Sequence, residues 1–182
     1  PKTEKILYTL RQETNTGHSS VQKLVELQKS DTEVSQVPLS FEYDPRDPVP
    51  TEGGAGMLAF LLPGYKGARP GNVLQQPACE RDDIISYKTE TLKDGLLISG
   101  EIRTNLTVSS TAPDTSFTFK LIEEFEDGRA INIRDAITSL AFRNGAQKPR
   151  SYEPGKKIEI EIDSWPIEWW VRAGSKLRLD VS

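Results

Sequence analysis

The chain has 182 residues, which is enough for one domain with a sizeable buried core. Its 23 basic and 27 acidic residues give a net charge of -4. This balance argues against nucleic acid or an anionic membrane as the main partner, because both require a concentrated basic surface. A single cysteine excludes an internal disulfide framework.

The first 40 residues predict a lead-in arm that differs from the rest of the chain. Ile6–Leu10 favours one strand. Residues Ser19–Lys29 carry apolar side chains at helical spacing after serines that suit a helix start, so a loop or a short helix is expected there. We therefore expect an irregular N-terminal arm over residues 1–40.

A long segment rich in proline and glycine follows at residues 44–76, here called the crossing segment. Its middle, Met57–Leu62, is strongly apolar. Loops of this length within a compact domain are usually functional or packed on another surface. Burying apolar side chains of this size is favourable, so we expect Met57, Leu58 and Phe60 to dock on something rather than lie in water.

The last two thirds of the chain predict strands with one face on a core and one in water. Apolar and polar residues alternate in four segments: Glu101–Ser109, Phe117–Leu121, Ile158–Asp163 and Lys176–Ser182. Turn sequences separate them, among them Asp127-Gly128, which indicates a hairpin. The pattern predicts an all-β fold, an antiparallel β-sandwich of the jelly-roll type.

The sequence offers no complete catalytic constellation. Gly17-His18-Ser19 begins like a nucleophile elbow, but Val21 stands where the elbow needs a glycine. His18 is the only histidine and is adjacent to Ser19, whereas a triad histidine is reached from elsewhere in the fold. No catalytic residue is therefore predicted, and the isolated chain should not turn over simple esters.

No metal site or cofactor site is predicted either. One cysteine and one histidine cannot supply the four ligands of structural zinc. Calcium would have two groups of oxygen ligands to choose from: Asp44 with Asp47, or Glu123, Glu124, Glu126 and Asp127. An Asx turn and a solvated hairpin edge explain these groups more simply. The glycines at 53–56 lack the ending of a phosphate-binding loop.

Three tryptophans lie close together at Trp165, Trp169 and Trp170. Exposed tryptophans on a β-sandwich suit stacking on sugar rings, whereas large aromatic side chains most often pack in a core or at an interface. Packing or a domain interface is the favoured interpretation, and carbohydrate binding is the alternative.

Several segments, in order, resemble the C-terminal β domain of the cocaine-esterase-like hydrolases (the CocE/NonD family), also described as the X-Pro dipeptidyl-peptidase C-terminal domain. The segments are Tyr43–Thr51 with Gly53-Gly54, Gln75–Tyr87, Ser109–Phe117, Asp127–Asn132 and Asp163–Ser182. Leu74 and Gln76 stand where the family has Asp and Arg. The resemblance implies a jelly roll (galactose-binding-like) over residues 41–182, truncated at both ends.

The resemblance also implies a function. Family members are serine hydrolases that cleave acyl esters or amides, with a catalytic α/β-hydrolase domain and a helical cap before the jelly roll. Their catalytic residues lie upstream of the matching region, so none is carried over. The expected partner is the catalytic domain of the same parent chain, with self-association as a further expectation.

Within the matching region, four residues are expected to be structural: Asp114, Asp127, Gly128 and Trp165. Asp114, with Pro113 before it, suits a turn in which its carboxylate accepts hydrogen bonds from nearby backbone amides. Met57, Leu58 and Phe60 are expected at the domain interface or the rim of the substrate cleft. A free-standing carbohydrate-binding module is the alternative function.

Overall fold

The computed structural model describes residues 4–11, 22–26, 38–56, 61–62, 64, 69–78 and 80–182. The named elements are β1 (Tyr8–Arg11), β2 (Gln22–Glu26), β3 (Ile85–Lys88), β4 (Leu96–Gly100), β5 (Arg103–Val108), β6 (Ser116–Glu124), β7 (Ala130–Ser139), β8 (Ile158–Asp163), β9 (Ile167–Val171) and β10 (Lys176–Val181). In this part of the chain, no helix is long and apolar enough to cross a membrane.

Six strands form one sheet in the order β1-β2-β3-β10-β6-β7. Neighbouring strands are antiparallel except β2 and β3, which run parallel. Successive side chains of a strand point to opposite faces of the sheet. On β10, Leu177, Leu179 and Val181 are buried towards the core, so Arg178 and Asp180 lie on the other face. The crossing segment lies on this outer face.

The second layer consists of two antiparallel ladders, β4 with β9 and β5 with β8. The ladders follow each other along the chain and are separated by a short interruption at residues 101–102, directly after Gly100, where φ is +118°. Ser164 bridges this interruption, since its N–H donates to Ile102 O (2.9 Å) and its Oγ accepts from Ile102 N–H (3.0 Å). The layer therefore stays continuous across the break.

The hydrophobic core lies between the two layers. It contains Phe119 and Leu121 from β6, Leu179 from β10, and Ile160 and Ile162 from β8. Burial of each such side chain is worth about 1.5–3 kcal/mol, so these contacts dominate the stability of the domain. The architecture confirms the predicted antiparallel β-sandwich, while the jelly-roll connections and the boundary at residue 41 stay predictions.

Four strands predicted from alternation are confirmed as β5, β6, β8 and β10. The Asp127-Gly128 hairpin is confirmed too: Phe125 N–H donates to Arg129 O (2.8 Å), and Gly128 N–H donates to Phe125 O (2.9 Å). Gly128 has a φ of +84°, which glycine adopts without the steric cost that a Cβ would add.

A loop or a short helix was expected over Ser19–Lys29. This expectation was wrong for Gln22–Glu26, which form β2. This strand lies between β1 and β3, so its backbone pairs on both sides. Tertiary pairing of this kind overrides a short local helical pattern. The rest of the expected helix lies outside the described residues.

Candidate functional site

Two backbone hydrogen bonds close the base of a loop within the crossing segment. Gly54 N–H donates to Gly71 O (2.9 Å), and Gly71 N–H donates to Gly54 O (2.7 Å). Gly54 and Gly71 have φ values of +88° and +91°, a region that side chains other than glycine rarely adopt. The base therefore depends on glycine at both positions.

The base rests on Asn132 of β7, whose side chain is 1% exposed. Its Oδ1 accepts from Val73 N–H (2.7 Å) and Gln75 Nε2 (3.3 Å), and its Nδ2 donates to Gly71 O (3.2 Å). Its backbone carbonyl accepts from Asn72 Nδ2 (2.6 Å). The Asn132 side chain thus holds the end of the loop to the sheet, together with the backbone hydrogen bond from Gln75 N–H to Ala130 O (2.9 Å).

A β-bulge places Asn132 in this position. Within the β6–β7 pair, Leu121 opposes Arg134 and Ile122 opposes Asn132, so Ile133 is the extra residue. Ile133 is buried in the core. Because residues on either side of a bulge are re-aimed, Asn132 shares the outer face with Ile122, where the crossing segment lies.

Lys120 on β6 supports the same base. Its Nζ donates to Gln75 Oε1 (2.9 Å), and Gln75 Nε2 donates to Glu52 O (3.0 Å). Burial lowers the pKa of Lys120, while the carboxylates of Asp135 and Asp180 partly offset that effect. Gln75 thus joins the two ends of the loop, and Lys120 holds Gln75 to the sheet.

Arg178 on β10 ties down the next residue of the crossing segment. Its side chain is almost fully buried, and Nη2 donates to Gln76 O (2.9 Å) and Asp180 Oδ2 (3.0 Å). Glu124 Oε2 lies 3.7 Å from Nη1 and also pairs with Lys88. A buried guanidinium requires such neighbouring carboxylates. Gln76 stands where the resembled family has Arg. It accepts the hydrogen bond from Arg178 through its backbone carbonyl.

The predicted docking residues Met57, Leu58 and Phe60 lie outside the described residues. The next two residues of the apolar run, Leu61 and Leu62, are 64% and 50% exposed. Large exposed apolar groups side by side mark interaction surfaces more often than isolated ones do. The described part of the run is therefore available for a partner.

The three tryptophans have different environments. Trp169 packs against the core and donates from Nε1 to Glu123 Oε2 (2.9 Å). Trp170 is 60% exposed, and its ring fills the space where a Cβ on Gly95 would lie. Trp165 is 76% exposed, and its carbonyl accepts from Arg134 Nε (3.2 Å). The structure therefore does not bring them together into one aromatic cluster in the core.

Most of the acidic residues considered for calcium bind neighbouring groups of the protein. The solvated hairpin edge expected for the second group is wrong at Glu123, which is 1% exposed. Asp44 Oδ1 accepts from Arg46 N–H (2.9 Å), which is the Asx turn expected there, and Arg46 lowers the pKa of Asp44. Asp47 pairs with Arg81 (3.3 Å), and both residues line an open cleft of about 290 Å³. Among the described residues, no group of three or more Asp, Glu, His or Cys side chains is arranged for a metal ion.

Two of the expected structural residues, Asp114 and Asp127, accept hydrogen bonds from backbone amides. Asp114 Oδ1 accepts from Ala141 N–H (2.9 Å), a contact across the fold rather than one with a nearby amide. Asp127 Oδ1 accepts from Arg129 N–H (3.0 Å) inside the hairpin. His18 and Ser19, the residues considered for catalysis, lie outside the described part of the chain.

Sequence reasoning missed Asn132, Lys120 and Arg178. The alternation in β6 and β10 could have placed Lys120 and Arg178 on the non-core face. It could not show that the crossing segment covers that face and buries them. Asn132 ends a segment that resembles the family, but its local sequence could not show its role, because its partners are about 60 residues earlier in the chain.

The model of one protein family, the X-Pro dipeptidyl-peptidase C-terminal non-catalytic domain, matches residues 6–182 of the chain. Cocaine esterase of Rhodococcus sp. (strain MB1 Bresler) is 36% identical over 143 residues, covering 79% of the chain and 24% of the esterase. The chain thus spans about a quarter of the length of this curated relative.

Two solved structures share the fold. An aminopeptidase from a marine sediment archaeon, Thaumarchaeota archaeon, is 20% identical with a TM-score of 0.53, covering 57% of this chain and 18% of the aminopeptidase. An α-amino acid ester hydrolase is also 20% identical with a TM-score of 0.53, covering 56% of this chain and 18% of the hydrolase. In both, the region similar to this chain is a small part of a longer protein.

Proposed function

Because the chain belongs to the X-Pro dipeptidyl-peptidase C-terminal non-catalytic domain family, we propose that it is the β domain of an α/β-hydrolase-fold serine hydrolase. The parent enzyme cleaves acyl esters or amides of the X-Pro dipeptide, amino acid ester or acylase type. The domain buttresses the catalytic domain and shapes one wall of the substrate cleft. Relatives named as an esterase, an aminopeptidase and an ester hydrolase support this proposal.

The two exposed leucines of the crossing segment, Leu61 and Leu62, carry the proposal. Leu61 and Leu62 project from a loop whose base is fixed to β7. Burying a leucine side chain is worth about 1.5–3 kcal/mol, so two adjacent exposed leucines gain stability only against a partner surface. The catalytic domain of the parent chain is that partner, and Met57, Leu58 and Phe60 extend the contact to the rim of its substrate pocket.

Replacing Leu58 or Phe60 by Asp in the full-length polypeptide tests this role. A carboxylate in an apolar interface is costly to bury, so weaker domain docking or a lower kcat/KM is expected. Leu97→Asp is a matched control, because Leu97 is a half-exposed leucine on β4 in the other layer. Wild-type stability and kinetics in both test variants would contradict the proposal.

A second candidate function is carbohydrate binding, favoured by the exposure of Trp165 and Trp170. Trp170 packs over Gly95 on one side and is largely open to solvent, an arrangement that suits stacking on a sugar ring. Isothermal titration with a panel of oligosaccharides tests this candidate. Binding that is lost in Trp170→Ala would support it, and no heat signal with any sugar would exclude those ligands.

A further inference from the structure

The two layers of the sandwich differ in width. The first layer has six strands, whereas each ladder of the second layer has two. The paired strands β3 and β10 lead directly into β4 and β9, which pair in the second layer. Beyond β3 lie β2 and β1, while no described strand lies beyond β4. On that side the first layer therefore extends by two strands, about 10 Å, past the second.

Asn144, in the loop after β7, caps the outer edge of β8. Its Oδ1 accepts from Glu161 N–H (2.8 Å), and its Nδ2 donates to Glu159 O (3.3 Å). Alternate residues of an antiparallel ladder direct their backbone groups towards the partner strand and away from it. Because Glu159 and Glu161 bind Asn144, they point away from β5. The residues opposite them, Thr107 and Asn105, therefore direct their N–H and C=O groups to the other side of the layer.

That other side, formed by β4 and β5, is here called the β4–β5 edge. Within the described part of the chain, no hydrogen bond reaches the backbone of Asn105 or Thr107 there. β4 contains neither a charged residue nor a proline. Arg103, the charged residue of β5, pairs with Glu161 and Asp163 of β8. Strand edges that stay free in solution usually carry charges, prolines or bulges, so this edge is suited to pairing.

The core is also less closed along the β4–β5 edge than on the other side of the layer. Ile160 and Ile162 of β8 are 1% exposed, and Val171 of β9 is 0% exposed. The inward side chains of β4 and β5 are only partly buried: Leu96, Ile98, Leu106 and Val108. Covering apolar surface of this kind is favourable. An added strand would therefore gain core contacts as well as backbone hydrogen bonds.

We propose that the β4–β5 edge receives one extended segment of the full-length polypeptide from outside these 182 residues. Its backbone pairs with Asn105 and Thr107, and its alternate apolar side chains cover Leu106 and Val108. The chain covers 24% of the esterase that it resembles, so a full-length polypeptide of that length has other segments to supply the strand. The proposal does not require the polypeptide to be a hydrolase.

A second copy of the chain fits this edge less well than a single strand. Antiparallel pairing of two β4–β5 edges about a two-fold axis would place both six-stranded layers on the same side. Each of these layers extends past the edge by β1 and β2, so the two copies would overlap. A lone extended segment fills the space without this overlap.

Photo-crosslinking from position 105 of the full-length polypeptide identifies the occupant. Opposite side chains of neighbouring strands have Cβ atoms about 4.5–5.5 Å apart, so Asn105→p-benzoylphenylalanine should reach an added strand. Peptide mass spectrometry should find an intramolecular link to a peptide outside these 182 residues. A link to a second copy, or to a residue within the 182, would overturn the proposal. Glu159→p-benzoylphenylalanine, on the capped edge, is the matched control and should link near Asn144.

Hydrogen exchange of the unmodified full-length polypeptide keeps the test decisive where the crosslinking variant fails to fold. The amides of Asn105 and Thr107 should exchange at least about 100-fold more slowly than unprotected amides, as should Leu106, whose amide faces β8. Unprotected Asn105 and Thr107 beside a protected Leu106 would show a free edge and overturn the proposal. Neither readout depends on catalysis, so an inactive polypeptide would refute the proposed function alone.

Discussion

Gly53 shows how a single residue type is required where two parts of the chain approach closely. Its φ is +86°, and a Cβ would lie 2.6 Å from both Asn132 Nδ2 and Gly71 O. Gly155 has nearly the same backbone conformation, with φ +85°, but a Cβ there would meet nothing within 4 Å. Comparing Gly53 with Gly155 therefore separates the cost of backbone strain from the cost of steric overlap.

Gly53→Ala should destabilise the domain more than Gly155→Ala. The control variant is expected to lose about 1–2 kcal/mol from the left-handed backbone alone. Gly53→Ala adds an overlap that typically costs about 1–3 kcal/mol more. Urea unfolding of both variants measures the difference in free energy, and equal losses would show that the loop base yields without cost.

Asp83 ties the start of the crossing segment to the strand region near β3. Its carboxylate accepts from Arg81 Nε (2.8 Å) and Nη2 (2.8 Å), and Nη2 also donates to Asp47 O (2.7 Å). The hydrogen bonds from Arg81 lower the pKa of Asp83 from 3.8. Asp83 therefore stabilises the fold fully above that pH, and the contribution is lost as the pH falls through the lowered folded-state pKa.

Asp83→Asn should make stability less sensitive to acid. On acidification from neutral pH to below the unfolded value of 3.8, the variant should lose less unfolding free energy than the wild type. Asp94→Asn, at an exposed turn, is the control and should follow the wild-type curve. Chemical unfolding across this range decides the point: parallel curves for wild type and Asp83→Asn would contradict the role of the Arg81 pair.

At the scale of elements, alternation predicted the strands that face water on one side. β5, β6, β8 and β10 were predicted because their polar and apolar residues alternate cleanly. For the region of β2, a loop or a short helix was expected from helical spacing, since pairing with β1 and β3 leaves no local sequence signal. Sequence periodicity reports the burial of one face and not the partners of a strand.

Glu123 is the clearest case of a residue that the pattern alone could not explain. It continues the core-facing alternation of β6 and is 1% exposed. Its carboxylate accepts from Trp169 Nε1 (2.9 Å), Arg172 N–H (2.8 Å) and Ser175 Oγ (2.9 Å), all about 50 residues later. These three donors join β6 to β9 and to the turn before β10.

Glu123→Ala should be strongly destabilising, because it leaves three donors without an acceptor in a buried site. The expected loss is about 3 kcal/mol or more, since each unsatisfied buried donor costs about 1–3 kcal/mol. Glu159→Ala, an exposed strand position on β8, should cost far less. Thermal unfolding with near-ultraviolet circular dichroism reports both, and similar Tm values would refute the account of Glu123.

For the whole molecule, the sandwich was predictable and the candidate site only in part. Its apolar run was visible as Met57–Leu62 in the sequence, and its exposed part is described at Leu61 and Leu62. The base that holds the run was not predictable, because Asn132 and Lys120 meet the crossing segment only after long-range folding. We propose that this sandwich contributes structure, and no reacting group, to a serine hydrolase.

Covalent labelling of the full-length polypeptide tests that claim most directly. A fluorophosphonate reacts with the activated serine of a serine hydrolase, and peptide mass spectrometry identifies the labelled residue. The account predicts a labelled serine outside these 182 residues and an unlabelled isolated chain. A label on Ser19, or on any other serine within the chain, would contradict it.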